Sequence, residues 1–235
     1  MIYPLIAALA PVVVLIYYIY RKDQFEKEPV KELLKAFGLG VVSTIVSLCI
    51  STPLGNLGFF PSEPYNLWGA ICVSFFGAAI PEEIAKFLML WLLVRKNKFF
   101  DEHMDGIVYA ACVSLGFAGL ENVLYLFSSP DWVSTGIVRA LFSVPGHFFF
   151  GILMGYYYSL VRFDPLTPSI NNFWVLGAPI LAHGLFDTIL FASGVVPESI
   201  SVILMIAFVF FCNSLRKQAS RRIRQHLIQD GVIQA

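Results

Sequence analysis

Residues 67–94 read LWGAICVSFFGAAIPEEIAKFLMLWLLV, a run of apolar side chains that carries three charges close to its centre. A helix needs about 20 apolar residues to cross the hydrocarbon core of a bilayer. The run is long enough for this, and Pro81 favours a tilt or a break in the helix. The sequence therefore predicts a transmembrane helix in which Glu82, Glu83 and Lys86 lie at membrane depth.

The rest of the chain repeats this apolar pattern. Of its 235 residues, 57% are hydrophobic and 14% are charged, whereas a soluble domain has about 25% charged residues. The prediction is an all-α transmembrane protein, a polytopic helical bundle of about seven spans, with residues 1–215 as a single domain and residues 216–235 as a basic cytoplasmic tail. Six further apolar runs of spanning length supply the other spans, at residues 2–20, 36–60, 106–127, 136–160, 173–192 and 199–215.

Lys and Arg residues alternate between the connections of this bundle. Fourteen of the sixteen basic residues fall in the first, third and fifth connections and in the tail, whereas the other connections contain none. Because cytoplasmic connections are rich in Lys and Arg, the N-terminus is predicted outside and the C-terminus in the cytoplasm. The first connection, residues 21–35, is either an interfacial helix whose apolar side chains include Phe25 or a solvated run of charges.

The charge balance and the cysteines exclude some functions. Sixteen Lys and Arg residues balance sixteen Asp and Glu residues, so nothing indicates nucleic acid as a partner, and membrane lipid is the expected surrounding. The four cysteines stand alone within apolar runs without a C-x-x-C spacing, so neither disulfides nor a thiolate metal site is expected.

Eight ionisable residues fall within the predicted spans. Such a side chain costs at least about 2.5–3.5 kcal/mol on insertion scales, so each requires a structural or functional reason. The eight come from the third to the sixth spans and can share one cavity if these helices pack together. They are Glu82, Glu83, Lys86, Glu121, Arg139, His147, His183 and Asp187.

Local spacing places several of these side chains on common helix faces. Lys86 follows Glu82 by four residues, and Asp187 follows His183 by the same interval, so each pair lies one helical turn apart. His147 follows a Pro-Gly pair, where a bend would turn its ring toward the cavity.

The net charge within the spans permits a metal ion. Four carboxylates and two fixed cations leave two negative charges when the histidines are neutral. A divalent metal balances this charge, as does protonation of two carboxyl groups. Catalytic zinc has three His or carboxylate ligands and an open position. His147 and His183 are the natural nitrogen ligands, and the third ligand is one of Glu121, Asp187 or Glu83.

The remaining charged residues suit the activation of water. Glu82 or Glu83 is the expected general base, and Lys86 or Arg139 would fix its carboxylate or an oxyanion. Arg139 lies near the outer end of its span, from where its side chain can extend toward the membrane surface, so a structural role is expected for it rather than a catalytic one. The catalytic candidates are Glu82, Glu83 and Lys86, and the candidate ligands of a zinc ion are His147, His183, Glu121 and Asp187.

Two classes of function fit these residues. The first is an intramembrane endopeptidase, and the second is a proton- or ion-coupled carrier or membrane scaffold that uses the same buried carboxylates. The sequence contains no H-E-x-x-H, G-x-S-G or G-x-G-D pattern, so the common zinc, serine and aspartyl patterns are missing. The sequence also shows no inverted repeat, which counts against a carrier.

Three motifs of the chain resemble those of the PrsW family of membrane proteases. They are Glu82-Glu83-x-x-Lys86, Phe117-x-x-x-Glu121 and His183-x-x-x-Asp187. The stretches DQFEKEP at 23–29, DGIVY at 105–109 and GFAGLEN at 116–122 are also similar to the family, and the likeness extends over residues 20–192.

This resemblance implies a multi-pass protease of the bacterial cytoplasmic membrane. The implied substrate is a single-pass, membrane-anchored protein of the anti-sigma factor type, which is cut outside the membrane to start a stress response. The resemblance also implies kinship with the CAAX-processing and bacteriocin-processing membrane proteases, whose second motif ends in His. Here that motif ends in Glu121, which leaves open a metal-free protease in which glutamate alone activates water.

Overall fold

The computed structural model describes residues 2–24, 26–164 and 168–234, with only the backbone described for residues 168 and 169. Helices account for most of this part of the chain, which contains no β-strand, and the predicted all-α architecture is confirmed. The helices are α1 (Ile2–Lys22), α2 (Val30–Asn56), α3 (Leu67–Cys72), α4 (Ile80–Val94), α5 (His103–Ser128), α6 (Trp132–Val138), α7 (Val144–Phe163), α8 (Pro168–Ser193) and α9 (Glu198–Gln229).

Two π-helical segments join neighbouring helices into longer rods. Val73–Ala79 connects α3 to α4, and Arg139–Ser143 connects α6 to α7. A proline follows each segment, Pro81 in the first case and Pro145 in the second. Proline lacks an N–H group and its ring collides with the carbonyl four residues earlier, and a wider π turn accommodates both effects. The disturbance expected at Pro81 is therefore a local widening within a continuous rod over residues 67–94.

Six of the helices or joined helices are long and apolar enough to span a bilayer, which confirms a multi-pass membrane protein. The rod over residues 67–94 is not among the six, although its length of about 42 Å is sufficient for a span. The count of seven spans and the outer position of the N-terminus stay predictions. The six spans are Ile2–Lys22, Val30–Asn56, His103–Ser128, Trp132–Phe163, Ile170–Ser193 and Glu198–Gln229.

Helix α5 is the centre of the bundle, and most of its residues are buried. Small residues allow its neighbours to approach closely. A Cβ atom added at Gly40 of α2 would lie 2.0 Å from the carbonyl oxygen of Val113, and one added at Gly155 of α7 would lie 2.2 Å from that of Gly106. Such backbone-to-backbone packing is typical of membrane helices and fixes the position of α5, which carries Glu121.

The basic tail continues α9 as a helix and packs against the bundle. The His226 ring stacks on that of Tyr156, with 4.5 Å between their centroids. The carboxylate of Asp230 accepts the backbone N–H of His103 at 3.0 Å. Side chains of the tail thus contact both α7 and the start of α5.

The described residues of the connection between α1 and α2 do not form a separate interfacial helix, and two of its acidic residues are not solvated. Asp23 and Glu28 are buried, and the Glu28 N–H donates to Asp23 Oδ2 at 2.9 Å. The Tyr109 hydroxyl of α5 donates a hydrogen bond to Glu28 Oε2. Phe25 lies outside the described residues. Burial raises the pKa of Glu28 to about 7, and the neighbouring Asp23 adds to this rise.

We expect Glu28→Gln to remove a pH dependence of stability. The pKa of this carboxyl group rises from 4.5 to about 7 on folding, so the folded state holds the proton more tightly. The stabilisation is complete below the unfolded pKa and is lost as the pH rises through the folded pKa. Between about pH 5 and pH 8, the Tm in detergent should therefore fall further for the wild type than for Glu28→Gln.

Glu26→Gln is the control for this measurement, because Glu26 is exposed in the same connection. Its Tm should follow that of the wild type across the pH range. Parallel curves for the wild type and Glu28→Gln would show that Glu28 does not titrate in this window.

Candidate active site

The ionisable residues predicted within the spans come together in one cluster. Four helices supply them, namely α4, α5, α7 and α8, together with the π-helical segment before α7. Hydrogen bonds and ion pairs connect all eight residues into a single network of Glu82, Glu83, Lys86, Glu121, Arg139, His147, His183 and Asp187.

Glu83 and Lys86 form the buried base of this cluster, and both side chains are fully buried. Lys86 Nζ lies 2.8 Å from Glu83 Oε1 and 3.7 Å from Glu82 Oε2. The ammonium group also lies 4.2 Å from the ring centroid of Phe117. The same Glu83 oxygen lies 2.8 Å from His183 Nδ1. A carboxylate on Nδ1 fixes the tautomer of the ring and leaves Nε2 available on the other side.

The ring of His147 is held from both sides. Lys86 Nζ lies 3.0 Å from His147 Nδ1, and Glu121 Oε2 lies 2.9 Å from His147 Nε2. Because an ammonium group only donates, Nδ1 accepts, and Nε2 carries the proton that Glu121 accepts. His183 Nε2 similarly lies 3.2 Å from Asp187 Oδ2. Each histidine therefore directs Nε2 toward a carboxylate.

Arg139 turns into the cluster and does not extend to the membrane surface. Its Nη2 donates to Glu121 Oε2 at 2.6 Å and its Nε donates to Asn122 Oδ1 at 2.7 Å. The guanidinium group also lies 4.0 Å from the ring centroid of Tyr125. Asn122 in turn donates to the backbone carbonyl of Ala8 at 2.8 Å, which ties α1 to this part of the cluster. Arg139 therefore holds Glu121 in place.

Asn122 and the aromatic neighbours are site residues that the sequence motifs did not single out. Asn122 directly follows Glu121 and is fully buried. Its place in the GFAGLEN stretch, next to Glu121, was the one sequence feature that could have marked it as a site residue. Phe150 stacks on His183, with a centroid distance of 4.8 Å and an angle of 17° between the rings. Phenylalanine is common in membrane spans, so nothing in the sequence marked Phe150.

The cluster opens into a cavity of about 500 Å³, which lies within the usual size range of ligand pockets. Glu83 and Lys86 do not line this cavity and lie behind the residues that do. Its charged and ionisable lining consists of Glu82, Glu121, Arg139, His147, His183 and Asp187. Ser134, Thr135 and Tyr125 add polar groups, and Phe186, Leu190 and Phe191 form an apolar wall.

Glu82, His147 and His183 have the arrangement expected of metal ligands. In the part of the chain that the structure describes, they are the one group of three His, Cys, Asp or Glu side chains whose ligand atoms all lie within 4.8 Å of one another. Glu82 Oε2 is buried without a hydrogen-bond partner among the described residues. Two histidines and one carboxylate are a common ligand set of catalytic zinc. The side chains present therefore fit a metal ion.

A family model described as "PrsW family intramembrane metalloprotease" matches residues 28–213. The chain belongs to the PrsW family. Proteins named "Protease PrsW" are similar to it across most of their length. The relative from Bacillus subtilis (strain 168) is 40% identical over 190 residues, which cover 79% of this chain and 82% of the relative.

Other members of the PrsW family show a similar level of identity. The protein from Geobacillus kaustophilus (strain HTA426) is 36% identical, with 79% of each chain covered. The protein from Clostridioides difficile (strain 630) is 34% identical, with 86% of this chain and 83% of the relative covered. No solved structure matches the chain.

Membership of the PrsW family makes this chain a membrane protease and decides against the carrier and scaffold hypotheses. The apolar helices agree with a multi-pass protein of a bacterial membrane. The protein therefore sits in the lipid bilayer and acts on a membrane protein substrate.

Proposed function

We propose that this PrsW-family protein is a zinc-dependent intramembrane endopeptidase that cuts a single-pass membrane protein near the outer membrane face. The observation that carries the proposal is the group of Glu82, His147 and His183 at the surface of the 500 Å³ cavity. The description of the family as a metalloprotease family supports a metal, and the His and carboxylate donors favour zinc.

The metal would be bound by the imidazole rings of His147 and His183 and by the carboxylate of Glu82. When bound, the metal supplies a Lewis acid that polarises the scissile carbonyl group and activates water. Glu83 orients His183 from behind, because its carboxylate contacts Nδ1 of the ring, and such an outer partner raises the affinity of the ligand that it orients. Lys86 in turn holds Glu83. Metal binding by His147 would require the hydrogen bond between Lys86 and Nδ1 to break, because a metal-bound neutral imidazole carries its proton on the other nitrogen.

We assign proton transfer to Asp187 and metal binding to Glu82. The sequence suggested the reverse, with Asp187 as a candidate ligand and Glu82 as a candidate general base. Asp187 lines the cavity, and no Lys or Arg among the described residues pairs with it. Glu121, by contrast, is held by Arg139 and His147. Glu83 does not line the cavity, so it orients His183 and does not contact substrate. Asp187 would accept the proton of the attacking water and deliver it to the leaving amine.

The lining of the cavity supports a peptide substrate. A membrane-spanning helix must unwind before a protease can attack its backbone, and the freed N–H and C=O groups then require polar partners. Ser134 and Thr135 offer such partners, whereas Phe186 and Phe191 would receive an apolar side chain. An anti-sigma factor is the substrate that the family resemblance implies, and its cleavage would start a stress response.

The proposal is tested by reconstituting the protein with a single-pass anti-sigma factor labelled on its outer segment. Glu82→Gln should abolish release of the labelled fragment, because the amide is a poor replacement for a carboxylate ligand. Glu198→Gln is the matched control, since this exposed carboxylate at the start of α9 lies outside the cluster. Full cleavage by Glu82→Gln would refute the ligand set, and cleavage by metal-stripped protein would favour metal-free glutamate catalysis.

Asn122→Ala should lower the kcat of this cleavage by about 10- to 100-fold, the range found for groups that orient site ligands. Asn122 contacts Arg139 and Ala8 but does not line the cavity, so KM should change little. Asn213→Ala on α9 is the control for loss of an amide. A wild-type kcat for Asn122→Ala would show that the hydrogen bond from Arg139 to Asn122 is not needed for cleavage.

A further inference from the structure

A second cavity, of about 260 Å³, lies between α7, α8 and α9 on the side of the basic tail. Its walls are apolar along most of their length and include Leu181 and Leu185 of α8 and Phe211 of α9. One end is polar, because Arg222 and Gln218 of α9 line it. The cavity is therefore amphipathic along its length.

Arg222 is fixed at the polar end. Its Nη2 donates to the Tyr157 hydroxyl at 3.1 Å, and its Nη1 donates to Gln225 Oε1 at 3.1 Å. The guanidinium group also lies 4.3 Å from the ring centroid of Tyr156. Arg222 belongs to none of the ion pairs formed among the described residues. A positioned guanidinium without a carboxylate partner is suited to bind the oxygen atoms of a phosphate group.

The length of the cavity matches one leaflet of a membrane. Phe211 and Arg222 lie about 16 Å apart along α9, at 1.5 Å per residue. Half of the hydrocarbon core of a bilayer is about 15 Å thick. Trp174 lines the cavity and stacks on Tyr157, as expected of aromatic side chains at the interface between lipid and water. This length suits part of an acyl chain lying along the open cavity with its headgroup at the polar end.

The charges around the polar end favour an anionic headgroup. The tail carries four further basic residues that are exposed to the surroundings: Arg216, Lys217, Arg221 and Arg224. The distribution of Lys and Arg predicts that this end of α9 is cytoplasmic. The cytoplasmic leaflet contains anionic lipids, which basic segments attract.

We propose that this cavity binds an anionic phospholipid of the cytoplasmic leaflet, with its phosphate at Arg222 and an acyl chain along Leu181 and Phe211. The site is separate from the catalytic cluster. A lipid bound there would bridge α9 and α8, and α8 carries His183 and Asp187. The bound lipid would thus stabilise the helix that supplies two site residues.

Native mass spectrometry of the full-length protein in detergent, titrated with phosphatidylglycerol or phosphatidylcholine, tests this proposal. The wild type should bind phosphatidylglycerol about five- to tenfold more tightly than phosphatidylcholine. Arg222→Gln should lose this preference. Arg221→Gln should keep it, because it removes the same charge from an exposed neighbouring position outside the cavity.

A second variant tests the apolar wall without changing the charge. Leu181→Trp should fill the cavity and weaken binding of both lipids by a similar factor, while the Tm of the lipid-free protein stays close to that of the wild type. Equal binding of the two lipids by the wild type would overturn the proposal. So would an equal loss in Arg221→Gln and Arg222→Gln, or wild-type lipid binding by Leu181→Trp.

Discussion

Replacing His183 with alanine is expected to lower kcat/KM for cleavage by at least about 1,000-fold. The imidazole is the meeting point of the cluster, since Nδ1 contacts Glu83 and Nε2 faces both Glu82 and Asp187. Alanine removes a proposed metal ligand and leaves these carboxylates without the group between them. The loss should appear in single-turnover cleavage of the reconstituted substrate.

His103→Ala is the matched control for this variant. His103 lies at the other end of α5 from Glu121, about 27 Å away along the helix, and pairs with Asp230. Its removal should leave cleavage within a few-fold of the wild type. If His183→Ala cleaves at the wild-type rate while remaining folded, His183 has no part in catalysis.

Glu83→Gln is expected to destabilise the folded protein by about 3–5 kcal/mol, because it leaves the Lys86 ammonium buried without its carboxylate. Both side chains are fully buried and lie 2.8 Å apart. Glu82 Oε2, at 3.7 Å from Lys86 Nζ, is too distant to replace this hydrogen bond. Chemical unfolding in detergent measures the change in the free energy of unfolding.

The double variant Glu83→Gln/Lys86→Met separates the structural role of this ion pair from its role at the site. It removes both charges, so its stability should lie well above that of Glu83→Gln. Cleavage should nevertheless stay lost, because glutamine cannot replace the carboxylate that orients His183 Nδ1. If the loss of stability in the double variant equalled the sum of the losses in Glu83→Gln and Lys86→Met, the two charges would not interact.

The membrane architecture and the members of the cluster follow from the sequence because the bilayer penalises isolated charges. Each of Glu82, Glu83, Lys86, His147 and His183 lies in an apolar run, where only a shared interior site accounts for its presence. The structure brings all of them together, as expected. The four-residue spacing within one helix was sufficient to predict the contacts of Glu82 with Lys86 and of His183 with Asp187.

The division of roles within the cluster did not follow from spacing. Adjacent residues on a helix point about 100° apart, and in the structure Glu82 lines the cavity whereas Glu83 does not. Arg139 was misjudged because its position along the span suggested an outward side chain. Its acceptors Glu121 and Asn122 lie on α5, and such long-range contacts leave no trace in local sequence.

The metal content of the purified protein, measured by elemental analysis beside a His147→Ala/His183→Ala variant, tests the proposed metal site most directly. We predict about one zinc per chain in the wild type and none in the variant, with both proteins folded in detergent. Wild-type protein that cleaves its substrate without any bound metal, or a variant that retains the full amount of zinc, would contradict this prediction.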